Sequence, residues 1–249
     1  MPITLYEATK VVQPLLLSGK EYVCVLRLHG DVEDGELRRV LEEFTGVIYQ
    51  KPPLRSSVKR RLRKRRIYYI ELLERVERDV LLKIGCEAGT YIRKLCFDIG
   101  EALGCGAHMV ELRRTRSGPL KEEESVTLHE LFHLKSEWEE TGDLEVLKKV
   151  VLPMEKALDY TPKIYIRDSA VDAICHGAEL AAPGVLYVET GIRKGDQVAV
   201  MTLKGEAVAL AKALATTEEI LEMNKGFVAK TQRVLMPRGV YPKSWQKKK

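Results

Sequence analysis

The sequence predicts an α+β protein in two parts: a region of mixed strands and helices, then a smaller, mostly-β region. Two observations carry this reading. Up to Ser117-Gly-Pro119, apolar residues switch between a period of two and spacings of three and four. Beyond Pro162, the chain becomes a series of short apolar runs punctuated by glycine turns.

The elements follow in order. Lys20 to His29 alternates as a strand, with Tyr22, Cys24, Leu26 and Leu28 on one face. Leu37, Val40, Leu41 and Phe44 mark a short amphipathic helix. Val47–Tyr49 is strand-like, and Ile67–Val76 with Val80–Cys86 reads as a hairpin. Ile92, Leu95, Cys96, Ile99 and Leu103 then define one helix face, with Thr90 as the expected N-cap. Ala107 to Arg113 is a further strand, and residues 120 to 160 are acidic and helical. After Pro162 come Val185–Glu189, Gln197–Thr202 and Glu206–Ala211, the last two joined through Lys204-Gly205. Thr216-x-x-Glu219 is a capping box for a small helix, and Phe227–Met236 is a closing strand. No internal repeat is visible.

With 249 residues, 45% of them hydrophobic and 31% charged, the chain suits a globular protein of two domains. No apolar run approaches a membrane span, so no membrane partner is expected, and residues 1–20 lack the order of a secretory signal. The five cysteines (Cys24, Cys86, Cys96, Cys105 and Cys175) form no CxxC and read as reduced thiols of a cytoplasmic protein.

The net charge is only +5, but Lys51 to Arg66, KPPLRSSVKRRLRKRR, holds nine Lys or Arg and no acid. Such a run is either a solvated charged segment or a phosphate-binding loop. Its position between strand-like runs favours a basic loop lifted from a folded scaffold and bound to a nucleic-acid backbone. Arg55, Lys59, Arg60, Arg61, Arg63 and Lys64 are its candidate contacts. Arg113 and Arg114 are further candidate RNA contacts, and Arg116, Lys243 and Lys247 to Lys249 add to the positive charge.

His129-Glu-Leu-Phe-His133 matches HExxH, the zinc-peptidase pattern that places two imidazoles on one helix face. The alternative is a surface helix capped by Ser125 or Thr127. A third ligand would have to come from Glu140, Glu145 or Glu155, none in a distinctive motif. The segment Glu87 to Leu95, EAGTYIRKL, raises a sharper question. Arg93 falls in the first turn of a helix, where the backbone is already positive and acids are favoured. It pairs with a structural acid, binds a phosphate, or serves a catalytic anion.

Four ordered motifs bear on that choice: Lys20-Glu-Tyr22, Pro52-Pro-Leu-Arg-Ser56, Gly89-Thr-Tyr-Ile-Arg93 and Leu112-Arg-Arg-Thr-Arg-Ser-Gly118. Their order and spacing resemble the TruB-type RNA pseudouridine synthases. Val58 to Arg66, Gly106-Ala-His-Met109 and Pro153-Met-Glu-Lys156 are similar to the archaeal and eukaryotic dyskerin branch, catalytic subunits of H/ACA ribonucleoproteins. Asp168-Ser-Ala170 and His176-Gly-Ala-Glu-Leu180 resemble its PUA domain, an RNA-binding pseudo-barrel.

The resemblance, running from Ile3 to Trp245, implies a pseudouridine synthase catalytic domain over 1–160, a PUA domain over 161–237 and a basic tail over 238–249. It implies isomerisation of uridine to pseudouridine in rRNA or tRNA, either guided by H/ACA RNA with small H/ACA proteins or unguided on the TΨC arm. In this family an aspartate attacks the target nucleoside; the resemblance makes Arg93 its partner, Tyr22 the stacking platform for the flipped base and Tyr91 a pocket residue. His176 and Gly177 become RNA contacts of the PUA part. No metal and no organic cofactor is expected.

One departure is decisive. The nucleophilic aspartate belongs to a GTLDP-like motif, which lies shortly before the segment resembling Pro2 to Lys10 in relatives. No such motif occurs in the 249 residues, and no aspartate from Asp31 to Asp196 sits in matching context. The expectation is an incomplete mixed sheet with an exposed edge, and no isomerase activity for the chain as it stands. A truncated product, a fragment and a late start all fit. Two other readings stay open: a non-catalytic RNA-binding or assembly module, and the HExxH zinc peptidase.

Overall fold

The computed structural model describes residues 1–52, 59 and 61–243. It divides into two compact units: Met1–Pro2 with Leu15–His133, and Ile3–Pro14 with Leu134–Lys249.

The first unit is built on an antiparallel sheet. Its strands are β1 (Lys20–Leu28), β2 (Gly46–Gln50), β3 (Arg63–Val76), β4 (Asp79–Cys86), β5 (Ala107–Ser117) and β6 (Leu120–Lys121), in the order β2-β3-β4-β1-β5-β6. Period-two patterning explains the central strand. Cys24, Leu26 and Leu28 point inward and are buried, while Arg27 faces solvent. The inner face is covered by α2 (Asp34–Glu43), through Leu37, Val40 and Leu41, and by α3 (Ile92–Ala102), through Ile92, Leu95, Cys96 and Ile99. Each fully buried aliphatic side chain stabilises by roughly 1.5–3 kcal/mol. The expected β3–β4 hairpin is present, turning through Glu77 at φ 53.

Two local expectations need correction. The basic segment is not a loop throughout: Arg63 to Arg66 are strand, paired with Gln50 to Val47 in antiparallel register. The apolar run that follows holds the start of β3 in the sheet and draws these four residues in with it. Thr90 is not the N-cap of α3. Its hydroxyl turns back onto the Glu87 carbonyl at 2.7 Å, and Tyr91 takes the cap position with no side-chain cap hydrogen bond.

A short helix α1 (Val12–Leu17) precedes β1. Lys20 closes its end, its Nζ donating to the carbonyls of Leu15 (2.7 Å), Leu16 (3.1 Å) and Ser18 (2.7 Å).

The second unit holds a second six-stranded sheet, ordered β8-β12-β11-β10-β7-β9. Its strands are β7 (Lys163–Ile166), β8 (Leu180–Ala181), β9 (Val185–Val188), β10 (Gln197–Thr202), β11 (Ala207–Ala213) and β12 (Phe227–Val234). All pairings are antiparallel except β10 with β7. Both faces of β10 are covered, which is why it reads as an unbroken apolar run. Val198 and Val200 join one cluster with Ile164, Ile166, Val171 and Ile174. Ala199 and Met201 join another with Val11, Leu158, Leu210 and Leu235. Glu155 adds a polar tie, its carboxylate accepting the Ala207 N–H at 3.0 Å. The remaining helices are α4 (Leu128–Thr141), α5 (Leu144–Lys148), α6 (Asp168–Cys175) and α7 (Thr217–Glu222). The capping box of Thr216 and Glu219 is formed as the spacing predicts. Among the described residues, no helix is long and apolar enough to cross a membrane.

Candidate active site

Arg93 is the second residue of α3. Its side chain is exposed, and it makes no hydrogen bond or ion pair among the described residues. The first turn of α3 holds no acid. The amides that open any helix lack intrahelical acceptors, so this end is positive through backbone and guanidinium together. Of the three roles open to Arg93, a structural ion pair is therefore not the one observed. An anion from outside would meet both charges at once.

Tyr91 is fixed through its backbone. Its N–H donates to Gln50 Oε1 at 3.0 Å, and its carbonyl accepts from Gln50 Nε2 at 3.2 Å. Gln50 is only 1% exposed. Beside it, the Arg65 guanidinium packs across Gly89, where an added Cβ would stand 3.1 Å from Nη2. Arg65 Nη1 lies 3.8 Å from Glu87, whose other carboxylate oxygen accepts the Arg66 N–H at 3.0 Å. The EAG turn before Arg93 is thus held from the β2–β3 side.

Tyr22 sits on the inner face of β1, half-buried against the core. It packs against the core yet stays partly accessible, so neither reading of it excludes the other. The Arg114 guanidinium lies 5.5 Å from its ring centroid, close enough for a cation–π contact. Register explains the pairing, because Tyr22 opposes Arg114 across β1 and β5. Lys20 belongs to the same neighbourhood. Burial lowers its pKa, and the charge of Arg114 lowers it further, against a small opposing effect of Cys86. Cys86 itself is pushed up to about 11 by burial and stays a thiol.

On the other face of β1, Glu21 gathers a network. Tyr69 and Thr115 donate hydrogen bonds to it, the latter at 2.7 Å, and Lys83 and Arg116 stand at 3.7 and 3.9 Å. Burial works to raise its pKa. The two hydrogen bonds and the two cations outweigh burial and hold the carboxyl below its ordinary range.

The remaining expected contacts fall in three places. Lys59, Arg61 and Lys64 are exposed; Arg63 is half-buried and donates to the Lys59 carbonyl at 3.2 Å. Arg113 is exposed but paired with Glu122 at 2.8 Å. Arg55 and Arg60 lie outside the described residues. In the second unit, His176 caps the C-terminus of α6, its Nδ1 2.8 Å from the Asp172 carbonyl oxygen. Gly177 follows at φ 87, the left-handed turn that ends a helix and favours glycine.

The HExxH residues take the form of the capped surface helix. His129 and His133 are both exposed on α4, and Glu130 is engaged in a capping box with Thr127.

Sequence reasoning missed Gln50 and Glu21. Gln50 had a signal: alternation from the outward Val47 and Tyr49 places it on the inner face with Ile48, where a polar residue needs partners. Glu21 lies within the Lys20-Glu-Tyr22 motif, but nothing in the sequence showed its network, since its two hydrogen-bond donors lie 48 and 94 residues away.

Comparison with known proteins places the chain in a class of RNA-modifying enzymes and names the family. Residues 1–92 match the TruB family pseudouridylate synthase N-terminal domain, 93–159 the tRNA pseudouridylate synthase B C-terminal domain, and 162–235 the PUA domain. The chain belongs to the TruB family of pseudouridylate synthases. A Methanopyrus kandleri protein described as "Probable tRNA pseudouridine synthase B" is 60% identical over 245 residues, 98% of this chain and 72% of the relative. A Pyrococcus furiosus protein of the same description is 55% identical, over 100% of this chain and 73% of the relative.

Solved structures agree. A Cbf5-Nop10-Gar1 complex matches with a TM-score of 0.92 and 56% identity, covering 96% of this chain and 73% of that one. An H/ACA RNP bound to a substrate RNA containing 2'-deoxyuridine matches with a TM-score of 0.88 and 52% identity, covering 97% and 73%.

Proposed function

We propose that this chain is the greater part of an enzyme that converts a uridine to pseudouridine in RNA, with Arg93 holding an attacking aspartate carboxylate that the 249 residues do not themselves supply. The single observation that carries the reading is Arg93: exposed and unpaired among the described residues, on an uncapped helix start, in a chain of this family. The bond that the carboxylate forms to the nucleoside is broken again before product leaves, so over the whole reaction the N1–C1′ bond breaks and a C5–C1′ bond forms, while C5 releases a proton and N1 takes one up. Atoms and electrons balance without an oxidant, so beside the attacking carboxylate the residues need only hold, orient and shield.

In a closed pocket, desolvation would raise the carboxylate's pKa, and the guanidinium opposes that rise while fixing its direction. Tyr22 offers the ring on which the flipped uracil stacks, flanked by Arg114, and Tyr91 bounds the pocket. Lys59, Arg61, Arg63 and Lys64, with Arg55 and Arg60, bind the RNA backbone, and His176 and Gly177 contact RNA in the PUA part. The domain assignment is 1–160 for catalysis, 161–237 for the PUA domain and 238–249 for the tail.

The similar structures contain Nop10, Gar1 and substrate RNA, which supports guide-directed action with small H/ACA proteins. The relatives' name supports a tRNA target. Five free cysteines support a reducing, cytoplasmic setting.

The experiment compares the 249-residue chain with the same chain extended before Met1 by a segment bearing a GTLDP-like motif. Guide RNA and small H/ACA proteins are supplied to both. Conversion by the extended chain alone is expected. No conversion by either would leave the second reading, an RNA-binding module. Conversion by the unextended chain would show that another group is the nucleophile.

A further inference from the structure

We propose that Gln50 is a positioning residue for the reaction, its carboxamide fixing the backbone from which Tyr91 and Arg93 project. The inference rests on the pseudouridine synthase reading for its kinetic consequence and on the structure alone for its geometry.

Gln50 ends β2, the edge strand of the first sheet. Alternation turns its side chain inward beside Ile48, on the face it shares with its register partner Arg63, and it is 1% exposed. The amide addresses both polar groups of one distant residue, accepting from the Tyr91 N–H at 3.0 Å and donating to the Tyr91 carbonyl at 3.2 Å. That is the pattern by which one strand residue pairs with another, here made by a side chain. Tyr91 also has the non-helical φ −96 and ψ 100 of the N-cap, and its carbonyl accepts the first helical bond, from Leu95 N–H at 3.0 Å. The N-cap side chain does not cap the helix. Gln50 therefore holds the start of α3 where a capping side chain would otherwise do so.

The position of Gln50 in the chain gives the contact a second consequence. Gln50 immediately precedes Lys51 and Pro52, the root of the basic segment. One carboxamide thus joins the strand that leads into the basic segment to the start of the helix that carries Arg93. A displacement of a reacting group by about 1 Å costs on the order of 100-fold in rate, so this tie acts on turnover more than on binding.

Two variants test it in the extended, RNA-supplied enzyme. Gln50→Leu is expected to lower kcat at least tenfold with KM changed less than threefold. Gln50→Glu keeps the acceptor for the Tyr91 N–H but, when ionised, opposes the Tyr91 carbonyl. When protonated it restores both hydrogen bonds. Its kcat is therefore expected to rise toward the wild-type value as pH falls, a profile the wild type does not share. Wild-type kcat in a folded Gln50→Leu, or a wild-type pH profile in Gln50→Glu, would overturn the proposal.

Hydrogen exchange in the 249-residue chain separates this proposal from the functional reading. Faster exchange of the Tyr91 amide in Gln50→Leu, confined to the turn and first residues of α3, is expected whether or not the enzyme turns over. Unchanged exchange there sinks the positioning role even if the enzyme is active. An inactive wild-type enzyme with faster exchange in the variant would count against the functional reading alone.

Discussion

At the scale of single residues, the network around Glu21 makes a pH-dependent contribution that can be measured. Its carboxyl is held below the ordinary range in the folded chain, chiefly by the hydrogen bonds from Tyr69 and Thr115 acting against burial. A carboxyl depressed on folding stabilises fully above its unfolded pKa. The contribution is lost as pH falls from about 4.5 through the lower folded value. Glu21→Gln should cost about 1–2 kcal/mol in denaturant titrations at neutral pH. The gap to wild type should close as both are taken into acid; a gap constant with pH would show that the charge does not matter. Arg93 is the opposite case, a residue whose charge has no partner among the described residues. Its importance lies in the reaction, so Arg93→Ala should leave the unfolding midpoint nearly unchanged.

At the scale of elements, the packing of α3 on the sheet is the most constrained contact near the site. A Cβ added at Gly100 would stand 2.1 Å from the backbone nitrogen of Ala107 and 2.5 Å from the Gly106 carbonyl carbon. Backbone cannot give way as a flexible side chain does, so Gly100→Ala should destabilise by about 3 kcal/mol. An unchanged denaturation midpoint would mean that the helix shifts freely and does not fix Arg93. The elements also show what a sequence can and cannot reveal. β1, α2, the β3–β4 hairpin and α3 were legible because one face of each is buried and the hydrophobic period records it. The capping box at Thr216 was legible because its partner lies three residues away, whereas Thr127 was only one of two caps offered for α4, beside Ser125. β7 and α6 went unread, since a four-residue strand and an eight-residue helix give too few periods to stand out. Thr90 was misread because its hydroxyl has a nearer carbonyl, that of Glu87, competing with the helix amides. At the site, the motif residues were named from resemblance, whereas Gln50 and Glu21 work through partners far away in the chain.

At the scale of the whole molecule, the charge distribution predicts how RNA is held. The net charge of +5 hides a run of nine basic residues between Lys51 and Arg66, uninterrupted by acid. Binding through phosphates should weaken steeply with salt, and removing one phosphate contact should lower the slope of log Kobs against log salt by about 1. Neutralising Lys59 and Arg61 together should therefore flatten the slope by about 2 without changing which RNA is preferred. An unchanged slope would place the RNA elsewhere. The central claim is that Arg93 orients an attacking carboxylate, and release of tritium from [5-³H]uridine in substrate RNA reads that step directly, because C5 loses its hydrogen only when the uracil is rejoined through carbon. In the chain extended with the aspartate-bearing segment, wild type should release tritium and Arg93→Ala should release it about 100-fold more slowly with RNA still bound. Equal release by both would contradict the account.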